Sequence, residues 1–262
     1  MTHKPFFSII TASYNADRTI DKTIRSIKKQ TFKNYEHIVV DGGSKDQTLS
    51  ILTHHSGSYP LRYVSEDDHG VADAMNKGVH ISTGEYIVFI HADDELADAS
   101  TLQGVFNDMT RETSKVYAYA INFVARNGSH IARPIRIPFW YKLRNTIPHQ
   151  GAFVHRDIFR KYGTFDTSFS ISMDYKLFYA VLLAKEPVVY SNTIVSNMGS
   201  QGISSDRNQC HERLKQDFRI QNTLETSLFW KWVHLFFQYP YYLYKTQIVP
   251  RIKQSGNQAG KE

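Results

Sequence analysis

The stretch Glu85-Tyr-Ile-Val-Phe-Ile-His-Ala-Asp-Asp94 is a run of apolar, strand-forming residues that ends in two adjacent carboxylates. A buried strand over this run directs Asp93 and Asp94 out of the strand end. Open α/β sheets bind ligands at the carboxyl ends of their strands, and carboxylate oxygens there suit Mg²⁺ or Mn²⁺ holding a diphosphate. The alternative interpretation is a helix N-cap, since Asp is common at a strand-to-helix junction.

Strand and helix patterns alternate in the residues before this run. Buried strands are predicted at residues 6–13, 35–41 and 61–65. Apolar residues between them recur at the helical period and predict three helices, the second with Ser44 as its N-cap. These residues are Ile20, Ile24 and Ile27, then Leu49 and Leu52, then Val71, Met75 and Val79. The order predicts an α/β fold with a mostly parallel central sheet flanked by helices.

The segments that follow the four strands share one crevice in such a sheet. They are residues 13–15, 41–44, 66–68 and 93–94, and three of the four are acidic. Carboxylates that lie close together repel one another unless a cation or a donor-rich ligand compensates them. The pattern therefore indicates a metal-assisted nucleotide site. Gly42 and Gly43 allow a close approach of backbone to ligand, although Gly-Gly-Ser is also an ordinary turn.

Charge is divided unevenly along the 262 residues. Residues 1–98 hold 10 Lys or Arg against 14 Asp or Glu, and the remainder holds 21 against 11. The basic part suits an anionic partner such as lipid headgroups or a diphosphate-linked acceptor, and no nucleic-acid recognition module is recognisable. The single cysteine, Cys210, excludes an internal disulfide, and the N-terminus runs directly into the first strand without a signal peptide. We therefore expect a cytoplasmic enzyme.

The second half of the chain gives weaker patterns. Residues 116–124 alternate like a strand, 126–140 read as a loop, 206–226 as a surface helix, and the tail after Lys253 as disordered. Aromatic residues crowd positions 228–244, with cationic residues beyond, in a segment too interrupted to cross a bilayer. Such a segment suits the inner surface of the cell membrane. The alternatives are packing on the catalytic domain or on a second subunit, as in a homodimer.

Several ordered motifs resemble those of family 2 glycosyltransferases, in particular bacterial enzymes of the exopolysaccharide and colanic-acid type. The motifs are Thr11-Ala-Ser-Tyr-Asn15, Gln30-Thr31-Phe32, residues 39–48, Asp73-Ala-Met-Asn-Lys-Gly78 and residues 83–94. The resemblance covers residues 5 to about 205. It implies the GT-A nucleotide-diphospho-sugar transferase fold and transfer with inversion at the anomeric carbon.

The resemblance also implies roles for particular residues. Donor-binding residues would be Ala12, Ser13 and Tyr14 around the base, Asp41 at the nucleobase edge, and Asn76, Asp93, His149 and Gln150. Asp94, with Asp93, would hold Mn²⁺ or Mg²⁺. The chain departs from the family at His91, where many relatives have the first acid of an Asp-x-Asp-Asp run, and at Gly42, where many have a second Asp.

Asp174 lies in a stretch, residues 163–178, that resembles the family's segment carrying the general base. A positioned carboxylate would remove the proton of the acceptor hydroxyl as that hydroxyl attacks. The alternative is that Asp174 is only the N-cap of the following helix. The processive synthases' Gln-x-x-Arg-Trp pattern is absent from the sequence, which favours addition of a single sugar.

The sequence thus predicts a nucleotide-sugar-binding half at 1–98, an acceptor and catalytic-base half of the same domain at 99–205, and a helical extension at 206–262. We expect an inverting transferase that moves a sugar, carried by UDP, to a saccharide or lipid-linked saccharide in bacterial surface polysaccharide synthesis. The rival hypothesis is a sugar-nucleotide-binding or scaffold protein of a polysaccharide assembly complex, with the same fold and no turnover.

Overall fold

A computed structural model describes residues 4–125, 128–199 and 209–244. Its strands are β1 (Phe7–Ser13), β2 (Tyr35–Asp41), β3 (Leu61–Ser65), β4 (Tyr86–Phe89), β5 (Glu95–Leu96), β6 (Val116–Ala125), β7 (Gly128–Ala132), β8 (Ala152–His155) and β9 (Val188–Met198). Its helices are α1 (Ile20–Lys28), α2 (Thr48–His55), α3 (Val71–Ile81), α4 (Thr101–Arg111), α5 (Arg156–Tyr162), α6 (Met173–Leu183), α7 (Cys210–Leu224) and α8 (Leu228–Leu243).

One sheet joins both halves of the described chain, in the order β3-β2-β1-β4-β8-β6-β9-β5, with β7 on β6. Strands β3, β2, β1 and β4 are parallel, as predicted. Strand β8 is antiparallel to both β4 and β6, and β6 is parallel to β9. The carboxyl ends of the first four strands therefore meet at one edge, which is where a ligand site is expected.

The apolar pattern explains why the first half folds in this way. Every residue of β2 is buried, so this strand is central and needs no polar face. The predicted stripe of α1, Ile20, Ile24 and Ile27, is fully buried. Helix α3 packs so closely on β1 that a Cβ at Gly78 would collide with the side chain of Ile10. This contact fixes α3 against the strand whose end lines the site.

Three local predictions were wrong. The predicted loop at 126–140 contains β7, which pairs antiparallel with β6; four of its five residues are exposed and none is buried, so the sequence offers no buried face to recognise. Ser44 is not the N-cap of α2, which begins at Thr48, because its hydroxyl donates to Asp41 instead. The regular strand before the two acids ends at Phe89, four residues before Asp93, although Ile90 and Ala92 still donate backbone hydrogen bonds to the chain of β1.

Helix α7 is not the surface helix that was predicted. It buries Leu214, Gln216, Asp217, Ile220 and Gln221. The Gln216 Oε1 atom accepts hydrogen bonds from the backbone N–H groups of residues 171 and 172, at 3.0 and 3.1 Å. Polar side chains thus occupy the buried face, which is why an apolar stripe was incomplete. Helix α8 follows it, and none of the described helices is long and apolar enough to cross a membrane.

Candidate active site

A cleft of about 260 Å³ opens at the carboxyl edge of the parallel strands. The end of β1, the segment after β4 and the turn before β8 each contribute side chains to it. The residues that were predicted to bind the donor or metal and that line this cleft are Ala12, Tyr14, Asp93, Asp94, His149 and Gln150. The structure therefore brings together segments that are up to 138 positions apart in the sequence.

Tyr14 lies at the rim of the cleft and is 64% exposed. The next residue, Asn15, has a left-handed backbone with φ of 46°, and its side-chain oxygen accepts a hydrogen bond from Lys45 N at 2.9 Å. The Ser44 hydroxyl accepts one from Asn15 N at 2.7 Å. These bonds tie the two loops together and leave the Tyr14 ring on the open side. An exposed ring held by a rigid turn can stack on a planar base. Ser13, by contrast, is buried.

Asp41 lies beneath the loops and is fully buried. Its Oδ1 accepts a hydrogen bond from the Ser44 hydroxyl at 2.5 Å, and its Oδ2 accepts from Ser44 N at 2.9 Å and from the Ser65 hydroxyl at 2.8 Å. The carboxylate therefore joins the ends of β2 and β3. Its predicted contact with a nucleobase stays a prediction, and it requires one of these hydroxyls to move.

Gly42 follows Asp41 and explains one departure from the family pattern. A Cβ at position 42 would lie 2.5 Å from Asp68 Oδ2, so a side chain there would displace the Asp68 carboxylate. The acidic loop after β3 thus lies directly against the glycines. Glycine at position 42 leaves room for the Asp68 carboxylate between the two loops.

Asn76 is not brought to the cleft. Its Nδ2 donates to Phe165 O at 2.7 Å, and its Oδ1 accepts from Phe165 N at 2.8 Å. Both amide atoms thereby fix the loop before α6 to α3. The structure gives Asn76 a part in placing that loop, and its predicted contact with the donor stays a prediction.

Asp94 is 1% exposed and accepts two backbone hydrogen bonds, from His91 N at 3.1 Å and from Gly199 N at 3.0 Å. Burial, together with the neighbouring Asp93 charge, raises the pKa of Asp94 to about 7. A positive charge would offset both causes. A divalent cation fits this pair in charge and in ligand type, since Mg²⁺ and Mn²⁺ use one or two carboxylates and complete their shell with phosphate and water. Within the described residues, no three His, Cys, Asp or Glu side chains form a metal cluster.

His91 is a neutral imidazole beside the two acids. Burial, together with the charge of His149, lowers the pKa of His91 to about 3. Both ring nitrogens of His91 are buried without a hydrogen-bond partner among the described residues. The ring lies 5.2 Å from that of His149, centroid to centroid. The departure at position 91 therefore replaces an acid with a group that adds no negative charge to Asp93 and Asp94.

A second cavity, of about 280 Å³, adjoins the cleft on the side of α6 and α7. Asp174 lines this second cavity, and so do Asn145, Arg144, Arg213 and Asp217, whose roles sequence reasoning missed. His149, Gln150, Ile171 and Met198 line both cavities. These shared residues form the wall between the two cavities.

Asp217 was missed because it lies on the helix interpreted as a surface element. Burial raises the pKa of Asp217 to about 6, and the hydrogen bond from the Ser172 hydroxyl, at 2.6 Å, opposes that rise. Asn145 donates to Asp174 Oδ2 at 3.0 Å. In the sequence, only the position of Asn145 four residues before His149 indicates that it belongs to this site.

The chain resembles known proteins both in sequence and in fold. The model of the family described as glycosyl transferase family 2 matches residues 8–173. A PGL/p-HBAD biosynthesis glycosyltransferase of Mycobacterium bovis is 31% identical over 179 residues, covering 65% of this chain and 67% of the relative. An uncharacterized glycosyltransferase of Mycobacterium tuberculosis is 27% identical over 213 residues, covering 79% and 80%.

Solved structures share the fold at lower sequence identity. S. aureus TarS residues 1–349 in complex with UDP has a TM-score of 0.66 at 18% identity, over 82% of this chain and 64% of that one. The Pyrobaculum calidifontis mannosyltransferase PcManGT, in complex with GDP-Man and Mn²⁺, has a TM-score of 0.62 at 22% identity, over 83% and 64%. The chain thus spans about two thirds of the length of these two structures.

Proposed function

The chain belongs to glycosyl transferase family 2, has the GT-A fold and is a glycosyltransferase, and we propose that it transfers one sugar, with inversion, from a UDP-sugar to a saccharide or lipid-linked saccharide hydroxyl. One observation carries the proposal. Two cavities meet at a wall that includes His149; Asp174, its partner, lines one cavity, and Asp93 and Asp94 line the other. Such an arrangement suits a single displacement between two bound substrates.

The donor would lie in the cleft with its base against Tyr14 and its diphosphate toward Asp93 and Asp94. This placement follows from the exposed Tyr14 ring at one end of the cleft and from Asp93 and Asp94, which a cation would compensate, at the other. Proteins of similar fold were solved with UDP, with UDP-GlcNAc and with GDP-Man and Mn²⁺. Asp93 and Asp94 would hold the Mn²⁺ or Mg²⁺ ion, which would supply charge stabilisation for the departing diphosphate.

The acceptor would lie in the second cavity, where Asp174 and His149 face it together. Loss of the acceptor proton requires a base at the wall between the two substrates, and a positioned base contributes about 10²–10⁴-fold. We expect Asp174→Asn to lose sugar transfer by about that factor while UDP binding is unchanged. Transfer at the wild-type rate in this variant would remove Asp174 from the reaction.

Calorimetric titration with UDP, with and without Mn²⁺, tests the donor site. We expect Mn²⁺ to strengthen UDP binding to the wild type and to have no such effect on Asp94→Ala. The matched control is Asp217→Ala, which removes a buried acid from the other cavity and should keep the effect of Mn²⁺. Absence of binding to UDP, GDP and TDP alike would contradict the proposed donor site.

Helix α8 supports a second part of the proposal, attachment to an anionic membrane surface at the cytoplasmic face. Its exposed apolar residues are Leu228, Phe229, Trp232, Leu235 and Phe236, between 52% and 74% exposed. Their spacing of three, four and seven places most of them on one side of the helix. Cationic residues follow the helix in the sequence, at positions 245, 251 and 253. Aromatic rings with adjacent positive charge are what binding at a lipid interface requires. The predicted disordered tail lies outside the described residues.

A further inference from the structure

Two arginine side chains line the cavity beside α6 and α7. Arg144 comes from the segment before β8 and is exposed, and Arg213 comes from the first turn of α7 and is half-buried. Neither guanidinium group forms a hydrogen bond or an ion pair with another described residue. Each carries five N–H donors in a planar fork that matches the oxygens of a phosphate or carboxylate. The cavity therefore presents positively charged donors to an incoming anionic group.

The two acids that line the same cavity are engaged by other groups. Asp174 accepts hydrogen bonds from Tyr175 N at 2.7 Å and from Asn145 Nδ2 at 3.0 Å. Asp217 is buried and accepts one from the Ser172 hydroxyl at 2.6 Å. Neither carboxylate forms an ion pair with an arginine of the cavity. The acids therefore balance part of the positive charge from a distance, and they leave the N–H donors of both guanidinium groups available.

Both arginines lie around one point of the cavity, the carboxylate of Asp217. Burial raises the pKa of Asp217 to about 6, and the charges of Arg213 and Arg144 oppose that rise. Charges separated by more than about 10 Å are largely screened at ordinary ionic strength. The two guanidinium groups are therefore close enough to Asp217, and to each other, for a single phosphate or diphosphate in this cavity to lie between them.

Helix α8 closes one side of this cavity. Tyr241, in the last turn of α8, lines it, and His234, seven residues earlier on the same side of the helix, is buried. Trp232 and Phe236 lie on the opposite side and are exposed. The helix thus has one side against the cavity and the other on the surface where we place the membrane. A phosphate group that is attached to a membrane lipid would reach the two arginines from beside this helix.

Building on the proposed function, we propose that Arg144 and Arg213 bind a phosphate group of the acceptor, so that the acceptor is a lipid-linked saccharide phosphate and not a free saccharide. The phosphate is a binding group and is unchanged by the reaction. The saccharide extends from it toward the wall at His149, where its hydroxyl meets the donor, and the lipid chain leaves beside Tyr241. Bidentate hydrogen bonds from a guanidinium fork to phosphate oxygens provide both affinity and orientation.

Calorimetric titration with geranyl diphosphate, a short lipid diphosphate, tests the inference on the whole chain. We expect Arg144→Gln and Arg213→Gln each to weaken binding by about 10–100-fold, because each loses hydrogen bonds to a charged group. The matched control is Lys215→Gln, which removes the same charge from an exposed position of α7 and should keep the wild-type affinity. Both arginines are unpaired, so their urea midpoints should be unchanged. Equal affinity in the wild type and both arginine variants would overturn the inference.

Three further titrations identify the chemistry that the arginines recognise. Arg213→Lys keeps the charge but loses the fork, so it should weaken binding of geranyl diphosphate by less than Arg213→Gln does; wild-type affinity in Arg213→Lys would overturn bidentate recognition. Inorganic pyrophosphate should bind more weakly than geranyl diphosphate, and equal binding would overturn the lipid-linked source of the phosphate. Binding of glucuronate through the arginines, without binding of geranyl diphosphate, would assign the pair to an acidic sugar and overturn the proposal.

Titration in the presence of saturating UDP and Mn²⁺ separates this site from the donor cleft. Geranyl diphosphate should still bind, because the arginines line the other cavity. Its displacement by UDP and Mn²⁺ would place it in the donor cleft and overturn the inference. A wild type that binds geranyl diphosphate through the arginines but does not bind UDP would support the arginine site and contradict the proposed donor. A wild type that binds UDP with Mn²⁺ but not geranyl diphosphate would overturn this inference alone.

Discussion

Replacement of Asp94 by Asn should change how the stability of the protein depends on pH. The pKa of Asp94 is raised from its ordinary 3.8 to about 7, chiefly by burial and also by the charge of Asp93. The folded state therefore holds a proton that the unfolded chain releases near pH 4. The stabilisation is complete below that pH and is lost as the pH rises through about 7. At roughly 1.36 kcal/mol per pKa unit, the loss amounts to about 4 kcal/mol.

Urea unfolding at pH 4 and pH 8, without metal, measures this difference. We expect the free energy of unfolding of Asp94→Asn to change between these pH values by about 4 kcal/mol less than that of the wild type. Only the change in the free energy of unfolding between the two pH values is compared. Any pH-independent loss of stability from the altered hydrogen bonds that His91 N and Gly199 N donate therefore cancels. The same variant should destroy metal-dependent UDP binding, because an amide is a weaker ligand for a hard cation.

Asp217→Asn is the matched control. Burial raises the pKa of Asp217 to about 6, so its contribution to the pH dependence has the same sign and is about 3 kcal/mol. It lines the other cavity and should leave the Mn²⁺ response intact. Added Mn²⁺ at 100 times its dissociation constant should stabilise the wild type and Asp217→Asn by about 2.7 kcal/mol and Asp94→Asn not at all. Identical pH slopes for the wild type and Asp94→Asn would refute the reasoning.

Two further predictions concern α8 and the packing of α3. The double variant Trp232→Ser/Phe236→Ser should no longer float with anionic vesicles. The control Ile131→Ser, which changes an exposed apolar residue of β7, should still float. A wild type that does not float but forms a concentration-dependent dimer would assign this face of α8 to a second copy of the chain. Gly78→Ala should lower the free energy of unfolding by about 1–3 kcal/mol, because its Cβ meets the side chain of Ile10; an unchanged urea midpoint would contradict the packing argument.

The fold of the first half was predictable chiefly because β1 and β2 are buried on both faces. Strand β2 was predicted with its correct ends, and so was β3 at residues 61–65, although β3 is an edge strand that buries only Leu61 and not the buried strand that was predicted. The α1 stripe recurs at the helical period without interruption, and each of its isoleucines is fully buried. In β1, β2 and α1 the apolar pattern matches the burial, so the sequence alone was sufficient.

The cavity beside α6 and α7 could not be predicted in this way because buried polar residues contribute to its lining. Gln216 and Asp217 of α7 are buried through hydrogen bonds to residues 170–172, which no hydropathy pattern reveals. Asn145 reaches Asp174 across 29 positions of sequence. These contacts depend on where loops cross in space, and the period of a helix or strand carries no such information.

The acids at the sheet edge show where a cation is needed. The sequence predicted a crowd of carboxylates that a cation or donor-rich ligand would compensate. In the structure, Asp41 is satisfied by Ser44 and Ser65, and Glu66 forms an ion pair with Lys77 at 2.9 Å. Asp94 receives only two backbone N–H groups, and burial raises its pKa. Asp41 and Glu66 are thus compensated by groups of the protein itself, whereas burial of the Asp94 carboxylate still disfavours its charged form. A divalent ion held by Asp93 and Asp94 would relieve that cost, so the response to Mn²⁺ should be lost with Asp94→Asn and retained when Asp67 or Asp68 is replaced by Asn.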